Sequence, residues 1–552
     1  MCGQSGASTA TAVSPKAVTS LPASRKRLTL VATILGSSIA VLDSSVVSVA
    51  LPSIQHSLGG GLAGQQWVSN AYLLTLGSLI LLGGSLGDIF GERRVFALGV
   101  GGFGAASLLC ALAPSIELLI AFRALQGIAG ALLTPSSLAV IVATFPERER
   151  GPAIGTWTAW GTIAGALGPL VAGLILNVAS WRWIFVINLP LVVVCLWLIQ
   201  RAVPPTSPTN TRRRVDLIGA LLCVLGLGGA VFALIEQPRL GWSNPAVSGS
   251  LIGGVLAFAA FLIYESRASD PMLRLDLFKS RNFAVGNVET LALYGGLSAL
   301  FFFLVLYLQQ VAGYSPLESG LALLPESLIM FALSGRFGAL ADRIGPRLFM
   351  GGGPLIAGAG MLMLLSFGVR VDYLTQVLPG ILLFSLGLSI TVAPLTAAIL
   401  AGVDQREAGI GSAVNNAVAR VAGLIATVAI GALVAAQFSS SLDHKLAGEP
   451  LTPRGHAAIA QAKQLTLGRP SVAGLPAHQA AAITVASGQS SLQAFRVGIG
   501  VASALVIIGG LIAAAGIRNP KRIVRAGQCP GGQLAGAPLD AAGLHASGLA
   551  RD

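Results

Sequence analysis

GSLGDIFGERR, Gly84 to Arg94, returns as GALADRIGPR, Gly338 to Arg347. Gly84/Gly338, Leu86/Leu340, Asp88/Asp342, Gly91/Gly345 and Arg93/Arg347 stand in register at an offset of 254 residues. Each copy closes a long apolar segment. Glycine lets a chain reverse tightly, and a Gly/Asp/Arg turn repeated at corresponding points between apolar segments is the pattern of an internally duplicated membrane transporter.

The rest of the chain has the composition this requires. Of 552 residues, 54% are hydrophobic and only 10% charged, against about 25% charged in soluble proteins. A span needs about 20 mostly apolar residues. That rule predicts fourteen: 30–52, 68–87, 95–114, 117–141, 153–176, 184–200, 216–235, 246–264, 285–308, 317–340, 348–368, 374–400, 408–436 and 495–516. Arg25, Lys26 and Arg27 precede the first run as they would in a secretory signal. That run is longer than the apolar core of about 7–15 residues such signals carry, and more spans follow, so it is expected to be retained.

The net charge of +13 does not point to nucleic acid, because the basic residues punctuate apolar runs instead of gathering into a patch. With the N-terminus inside, the inner segments hold 24 Lys and Arg, and the short outer loops hold only Arg182, Arg239 and Arg370. This asymmetry predicts a multi-pass protein of the cytoplasmic membrane with both termini in the cytoplasm.

The repeated turn follows span 2 and then span 10, eight spans apart where a simple doubling of six would give six. Two spans have therefore been inserted, most naturally in the middle. The expected organisation is a cytoplasmic tail 1–27, a six-helix half 28–200, a linker with two spans 201–284, a second six-helix half 285–516 and a cytoplasmic tail 517–552. The polar, proline-containing stretch 438–494 is expected to be a long outer loop inside the second half.

Charges inside spans are costly and mark ion or substrate pathways. Asp43, in AVLDSSVVSVALP, lies 13 residues from the inner end of span 1, or about 20 Å at 1.5 Å per residue. Arg123 lies six residues in from the outer end of span 4, about 9 Å, and so at nearly the same depth in a core of about 30 Å. The two are expected to face each other across a cavity, as a coupling pair or as a fixed bridge orienting two helices. Glu326, in LLPESLIMF, sits near mid-membrane, where it could hold a proton, attract a cation or simply bond Ser327. Arg420 reaches a similar depth behind Asn415 and Asn416. Glu289, about one turn into span 9, is placed to snorkel to the interface or to take part in transport.

At the inner face, an acid in a tight turn can approach the positive N-terminal end of a helix of the other half. Asp88 is placed to engage the start of span 13 near Ala408, and Asp342 the start of span 5 after Gly151 and Pro152. That would latch the inner gate when the outside is open. In span 5, GTIAGALGPLVAGLI sets Gly161, Gly165, Gly168 and Gly173 mainly on one side with Pro169 among them, a surface suited to close, sliding contact. GVGGFG at Gly99–Gly104 imitates a dinucleotide loop, but it lies within a span and follows no strand. The five cysteines show no paired spacing and the five histidines fall in outer loops or the tail, so no disulfide framework, metal site or enzymatic constellation is expected.

Together these segments resemble the major facilitator superfamily, and within it the fourteen-span drug:proton antiporters of the multidrug and quaternary ammonium exporter type. Gly84–Arg94 is similar to the superfamily's signature loop, FRALQGIAGALLTP at Phe122–Pro135 to its fourth-helix motif, and the span 5 glycines to its antiporter motif. LDSSVVSVALP after Leu42, WRWIFVINLP at Trp181–Pro190 and PMLRLDLF from Pro271 resemble patterns of the drug exporters. Ile89 and Glu92 depart from the signature loop, where basic residues are common, whereas the second copy keeps Arg343.

The resemblance implies an all-α major facilitator fold of two six-helix halves plus two central helices, and export of lipophilic, often cationic drugs or antibiotics by alternating access. It implies a proton gradient as the energy source with no cofactor, a small lipophilic substrate and protons as ligands, the bilayer as surroundings and no obligate protein partner. It also implies proton and substrate coupling at Asp43 and Arg123, and gating at Asp88 and Arg93. A pathway-specific exporter of an endogenous metabolite, antibiotic or lipid would use the same mechanism. A proton-coupled uptake symporter would not be expected to carry the span 5 pattern.

Overall fold

A computed structural model of the chain describes residues 22–205, 215–401, 403, 408–468 and 470–519. Among them, fourteen helices are long and apolar enough to cross a membrane. In chain order they are α1 Ala23–Leu58, α2 Gly61–Phe90, α3 Glu92–Leu112, α4 Ile116–Thr144, α5 Glu149–Val178, α6 Trp183–Ala202 and α7 Leu217–Leu240. They continue as α8 Pro245–Glu265, α9 Arg281–Val311, α10 Pro316–Ile344, α11 Pro346–Ser366, α12 Tyr373–Ala401, α13 Ile410–Lys445 and α14 Ala477–Gly516. An even number of crossings brings both ends of the described chain to the end that carries the two repeated turns, here the turn end; the opposite one is the far end.

The helices α1–α6 pack into one bundle and α9–α14 into another. Between them in sequence, α7 lies against α2 and α13, and α8 packs on α7. That pair meets through glycines: a methyl group on Gly226 would lie 2.8 Å from Phe258 Cβ, and one on Gly254 2.8 Å from the Ala230 nitrogen. Outward from this contact Leu217, Ile218, Leu221, Leu225, Ile252, Val255 and Leu256 are exposed, as a lipid-facing surface requires.

Each repeated turn ends one helix and starts the next. Gly91 has φ +90° and Gly345 φ +104°, a backbone region that side chains with a Cβ rarely adopt, which is why both copies need glycine there. The arginine two residues further on has the same task in each copy. Arg93 Nη2 donates to the carbonyl of Gln200 at 3.1 Å, at the end of α6. Arg347 Nε donates to the carbonyl of Ala514 at 2.6 Å, at the end of α14. A second arginine joins each: Arg25 Nε donates to the Ala202 carbonyl at 3.1 Å and Arg281 Nε to the Gly516 carbonyl at 2.8 Å. The last helix of each half thus ends in a collar of two guanidiniums on carbonyls that have no helical partner, where the helix dipole is negative.

The halves touch at the far end. Gln66 Nε2 donates to the Thr427 carbonyl at 3.1 Å, Gln309 Nε2 to the Val49 carbonyl at 2.9 Å and Gln310 Nε2 to Gln55 Oε1 at 2.8 Å. In the same region a methyl on Gly173 would stand 2.6 Å from Leu317 Cα, and Gly320 packs directly on the Pro169 carbonyl. Toward the turn end the contact is lost, and a methyl on Gly151, Gly155, Gly161 or Gly335 would meet nothing within 4 Å. The molecule is closed at the far end and open at the turn end.

Two expectations about the elements change. The stretch 438–494 is not a plain loop: α13 runs on to Lys445, a short helix spans Pro453–Leu465, and α14 starts at Ala477. Alanine-rich sequence such as AHQAAAITVASGQSSLQ forms helix without being apolar, so hydropathy marked membrane depth and missed helix length. Likewise α9 begins at Arg281, four residues earlier than drawn, which moves Glu289 a full turn deeper into the helix.

Candidate functional site

Asp43 on α1 and Arg123 on α4 are in direct contact. Arg123 Nη1 donates to Asp43 Oδ2 at 2.5 Å and to Gln126 Oε1 at 2.5 Å, and its Nε donates to the Val68 carbonyl at 3.1 Å. Both residues are 1% exposed. The other carboxylate oxygen, Asp43 Oδ1, accepts from Gln126 Nε2 at 2.9 Å and from Asn188 Nδ2 at 2.9 Å. Ser107 on α3 accepts from the same two amides. Side chains from α1, α3, α4 and α6 therefore meet around one buried carboxylate.

The guanidinium also lies 4.4 Å above the Tyr72 ring, a cation–π contact that the burial of both groups strengthens. Burial of a charge pair is tolerable only with such geometry and full satisfaction of its hydrogen-bonding groups.

Arg123 and Tyr72 form part of the wall of a cavity of about 410 Å³ between the two halves. The first half adds Ser44, Ser45, Ser48, Ser69, Gly165 and Pro169; the second adds Phe301, Phe302, Glu326, Met330 and Thr427. The lining is aromatic and aliphatic with a few hydroxyls and one carboxyl, the chemistry of a site for a lipophilic ligand with a polar or charged group. Asp43 is not on this wall. The expectation of an acid and an arginine facing each other across a cavity is corrected here: they are bonded to each other, and Arg123 stands between the acid and the space. The reason is reach, since α1 and α4 pack together and the arginine side chain spans the gap.

Glu326 lines the cavity and accepts a hydrogen bond from Ser327 Oγ at 3.0 Å; the helix contact and the cavity-facing position coexist. Arg420 does not pair with it. Its Nε is buried without a hydrogen-bond partner, and its Cβ lies 3.6 Å from where a methyl on Gly77 would stand, in the seam between α2 and α13. Glu289 does not snorkel. It is 0% exposed, eight residues into α9, and neither carboxyl oxygen has a hydrogen-bond partner. It is sealed inside the second half, away from the cavity.

The span 5 glycines divide their work. Gly165 faces Val41 and Gly168 packs against Ser45, both on α1 in the same half, whereas Gly173 meets α10 of the other half and Gly161 faces open space. In the turns, Gly84 faces Pro135 and Gly338 faces Ala393. Asp342 and Arg343 line a recess at the turn end with Asn282, Gly345 and Asn519. The partner expected for Asp88 is the start of α13; residues 404–407, just before it, lie outside the described residues.

Sequence reasoning missed Gln126, Asn188, Ser107 and Tyr72. Gln126 had a signal, standing three residues after Arg123 and so on the same helix face. Asn188 stands in the INLP of WRWIFVINLP, where the pattern as a whole resembles the drug exporters and nothing local sets the asparagine apart.

The model of the Major Facilitator Superfamily matches residues 33–427. The puromycin resistance protein pur8 of Streptomyces alboniger is 39% identical over 427 residues, 75% of this chain and 84% of that protein. The tetracenomycin C resistance and export protein of Streptomyces glaucescens is 32% identical over 522 residues, 92% and 95% of the two chains. The multidrug resistance protein Stp of Mycobacterium tuberculosis is 35% identical over 425 residues, 76% and 78% of the two. Among solved structures, a bacterial homolog of the human lysosomal transporter Spinster superposes with a TM-score of 0.59 at 17% identity, covering 90% of this chain and 100% of that one; this likeness concerns the fold alone. Fourteen membrane-length helices among the described residues, twelve of them in two bundles with a cavity between, a family match over most of the length and relatives above 30% identity agree: the chain is a multi-pass membrane transporter and belongs to the Major Facilitator Superfamily.

Proposed function

We propose that the chain is a proton-coupled antiporter that exports lipophilic, cationic drugs or antibiotics by alternating access. The observation that carries this is the Asp43–Arg123 pair at the edge of an apolar cavity between two halves that close at one end and part at the other. The resistance and export functions printed for the relatives support the same direction of transport.

The basic residues gather at the turn end, which we take as the cytoplasmic side of the cytoplasmic membrane, with both termini there. The conformation described is then inward-facing. A cationic substrate enters from the cytoplasmic leaflet and meets Glu326; a proton reaching Asp43 from outside weakens its hold on Arg123. The proton gradient supplies the work, about 2.3 kcal/mol per charge per 100 mV, and no cofactor is needed. In this reading the two repeated turns close the inner gate in the alternate state. The small substrate and protons are the only ligands required.

Inverted membrane vesicles test the reading. An imposed proton gradient should drive accumulation of a fluorescent organic cation, and Asp43→Asn should abolish it. Accumulation that depends on ATP, or that survives collapse of the gradient, overturns the mechanism. The names of two relatives, a tetracenomycin C export protein and a probable actinorhodin transporter, favour a second reading, in which the natural substrate is one endogenous antibiotic or metabolite. A susceptibility panel on cells overexpressing the chain separates the two: broad resistance supports a drug exporter, and resistance to a single compound class supports the dedicated one.

A further inference from the structure

Asn188 has one polar atom too many for the state described. Its Nδ2 donates to Asp43 Oδ1 at 2.9 Å and to Ser107 Oγ at 3.3 Å, but its Oδ1 is buried without a hydrogen-bond partner. The residue is 0% exposed. A buried amide that leaves its acceptor unmade loses free energy, so an orphan oxygen on the residue that grips the ionised acid calls for an explanation.

Resting on the coupling role given above to Asp43, we propose that Asn188 is a two-state positioning residue that registers whether Asp43 carries the transported proton. With the acid ionised, the amide presents its N–H group to Asp43 Oδ1. When a proton arrives from hydronium, a new O–H bond forms on Asp43 and water is left behind. The carboxyl is then a donor that the N–H of Asn188 can no longer serve. A half-turn of the amide plane exchanges nitrogen for oxygen, and Asn188 Oδ1 accepts the new O–H. Ser107 accommodates either state, since a hydroxyl accepts from the amide nitrogen in one and donates to the amide oxygen in the other.

Only an amide or a hydroxyl can serve both forms of the acid. The other groups around it cannot: the Arg123 guanidinium has donors alone. Gln126 has its oxygen engaged by Arg123 and its nitrogen by Asp43 and Ser107. The remaining titratable groups that face the cluster are Tyr72 beneath the guanidinium and Cys110, whose Sγ lies 3.8 Å from Gln126 Oε1. Neither is bonded to Asp43. Protonation removes the negative charge that holds Arg123, and Asn188 then gives the neutral acid its only bond made for that form. Within α6 a short segment Trp183–Val186 is followed, after Ile187, by the longer segment Asn188–Ala202, so Asn188 stands at the joint of the first half's last helix and the rotation acts there.

The experiment uses the full chain in vesicles and reads two quantities. In infrared difference spectra taken across a pH step, the carboxylic C=O band that disappears in Asp43→Asn should move to higher frequency in Asn188→Leu, because the neutral acid has lost its acceptor. Gradient-driven accumulation of an organic cation should fall at least tenfold in Asn188→Leu, and Asn188→Ser, which restores a group able to accept and donate, should recover much of both signals. An unshifted band in a folded Asn188→Leu, or a Ser variant as defective as Leu in folded protein, overturns the proposal. If Asn188→Leu does not fold, Asn188→Ala and Asn188→Ser decide by the same band: the Ala band should move up while the Ser band stays near that of the unsubstituted protein, and an unshifted band in Ala overturns the proposal. Full gradient-driven transport by Asp43→Asn would instead overturn the coupling reading beneath it, and the two failures are told apart by that single variant.

Discussion

Arg123 is held by an ion pair, two further hydrogen bonds and an aromatic face, and that redundancy predicts an unequal response to substitution. Arg123→Lys keeps the charge but not the planar fork, so it cannot reach Asp43, Gln126 and the Val68 carbonyl together. It should keep measurable substrate binding while gradient-driven transport falls at least tenfold. Arg123→Gln leaves Asp43 buried and unpaired, a change worth about 3–5 kcal/mol in comparable buried pairs, and should lower thermal stability as well; a melting curve in detergent checks it. Glu326 lies on the cavity wall in a different half from Asp43. Glu326→Gln should weaken resistance to permanently charged organic cations by about tenfold or more and leave neutral lipophilic drugs nearly unaffected, as read from paired susceptibility assays. Equal loss for both classes would remove Glu326 from cation recognition. The two charged partners were legible in the sequence because a charge in an apolar span stands out and 1.5 Å per residue fixes its depth. Gln126, Asn188 and Ser107 were not, because uncharged polar residues are common in membrane helices and only the packing of α1, α3, α4 and α6 shows which of them share a point.

At the scale of the helix, glycines and arginines set what each element may do. Gly173 lets α5 approach the backbone of α10 at Leu317. Gly173→Leu would force a side chain into that contact at a cost of about 1–3 kcal/mol, borne by the far-end-closed state alone. The variant should shift the population toward the opposite conformation, raising accessibility at the far end to a membrane-impermeant thiol reagent and slowing transport. Gly161→Ala, in open space, should do neither. The collars act on stability. Arg347→Met removes a guanidinium from the exposed end of α14 and should cost about 0.5–1 kcal/mol, lowering the melting temperature slightly, and Arg93→Met should act alike on α6. Similar losses for both would express the duplication in energy as well as in sequence. The repeated turn announced itself by glycine, aspartate and arginine at fixed offsets, but the target of its arginine did not. The collar joins helices far apart in the chain, Arg93 to Gln200 and Arg347 to Ala514, and no local pattern encodes such a contact. The helical ends within 438–494 were hidden for another reason: they are alanine-rich and polar, so they form helix outside any apolar window.

Over the whole molecule, the hydrogen bonds named between halves lie toward one end, and this asymmetry yields the most direct test of alternating access. Gln66 and Thr427 meet across the seam at the far end, while Gly155 on α5 and Gly335 on α10 face open space near the turn end. A cross-link between Gln66→Cys and Thr427→Cys should hold the described conformation: gradient-driven transport stops, a substrate offered from the turn side still binds, and reduction of the disulfide restores turnover. Single cysteines at 155 and 335 report on the other end. In the cross-linked protein both should react with an impermeant maleimide applied from the turn side. In the uncrosslinked protein that reactivity should fall under conditions that favour the opposite state, such as a low external pH without substrate. The two readings must move in opposite directions, since one cavity cannot serve both sides at once. If the cross-linked protein still transports, or if labelling at the turn end is unchanged when the far end opens, the halves do not rock about the central cavity. The ion pair of Asp43 and Arg123 would then be a brace and not the hinge of coupling.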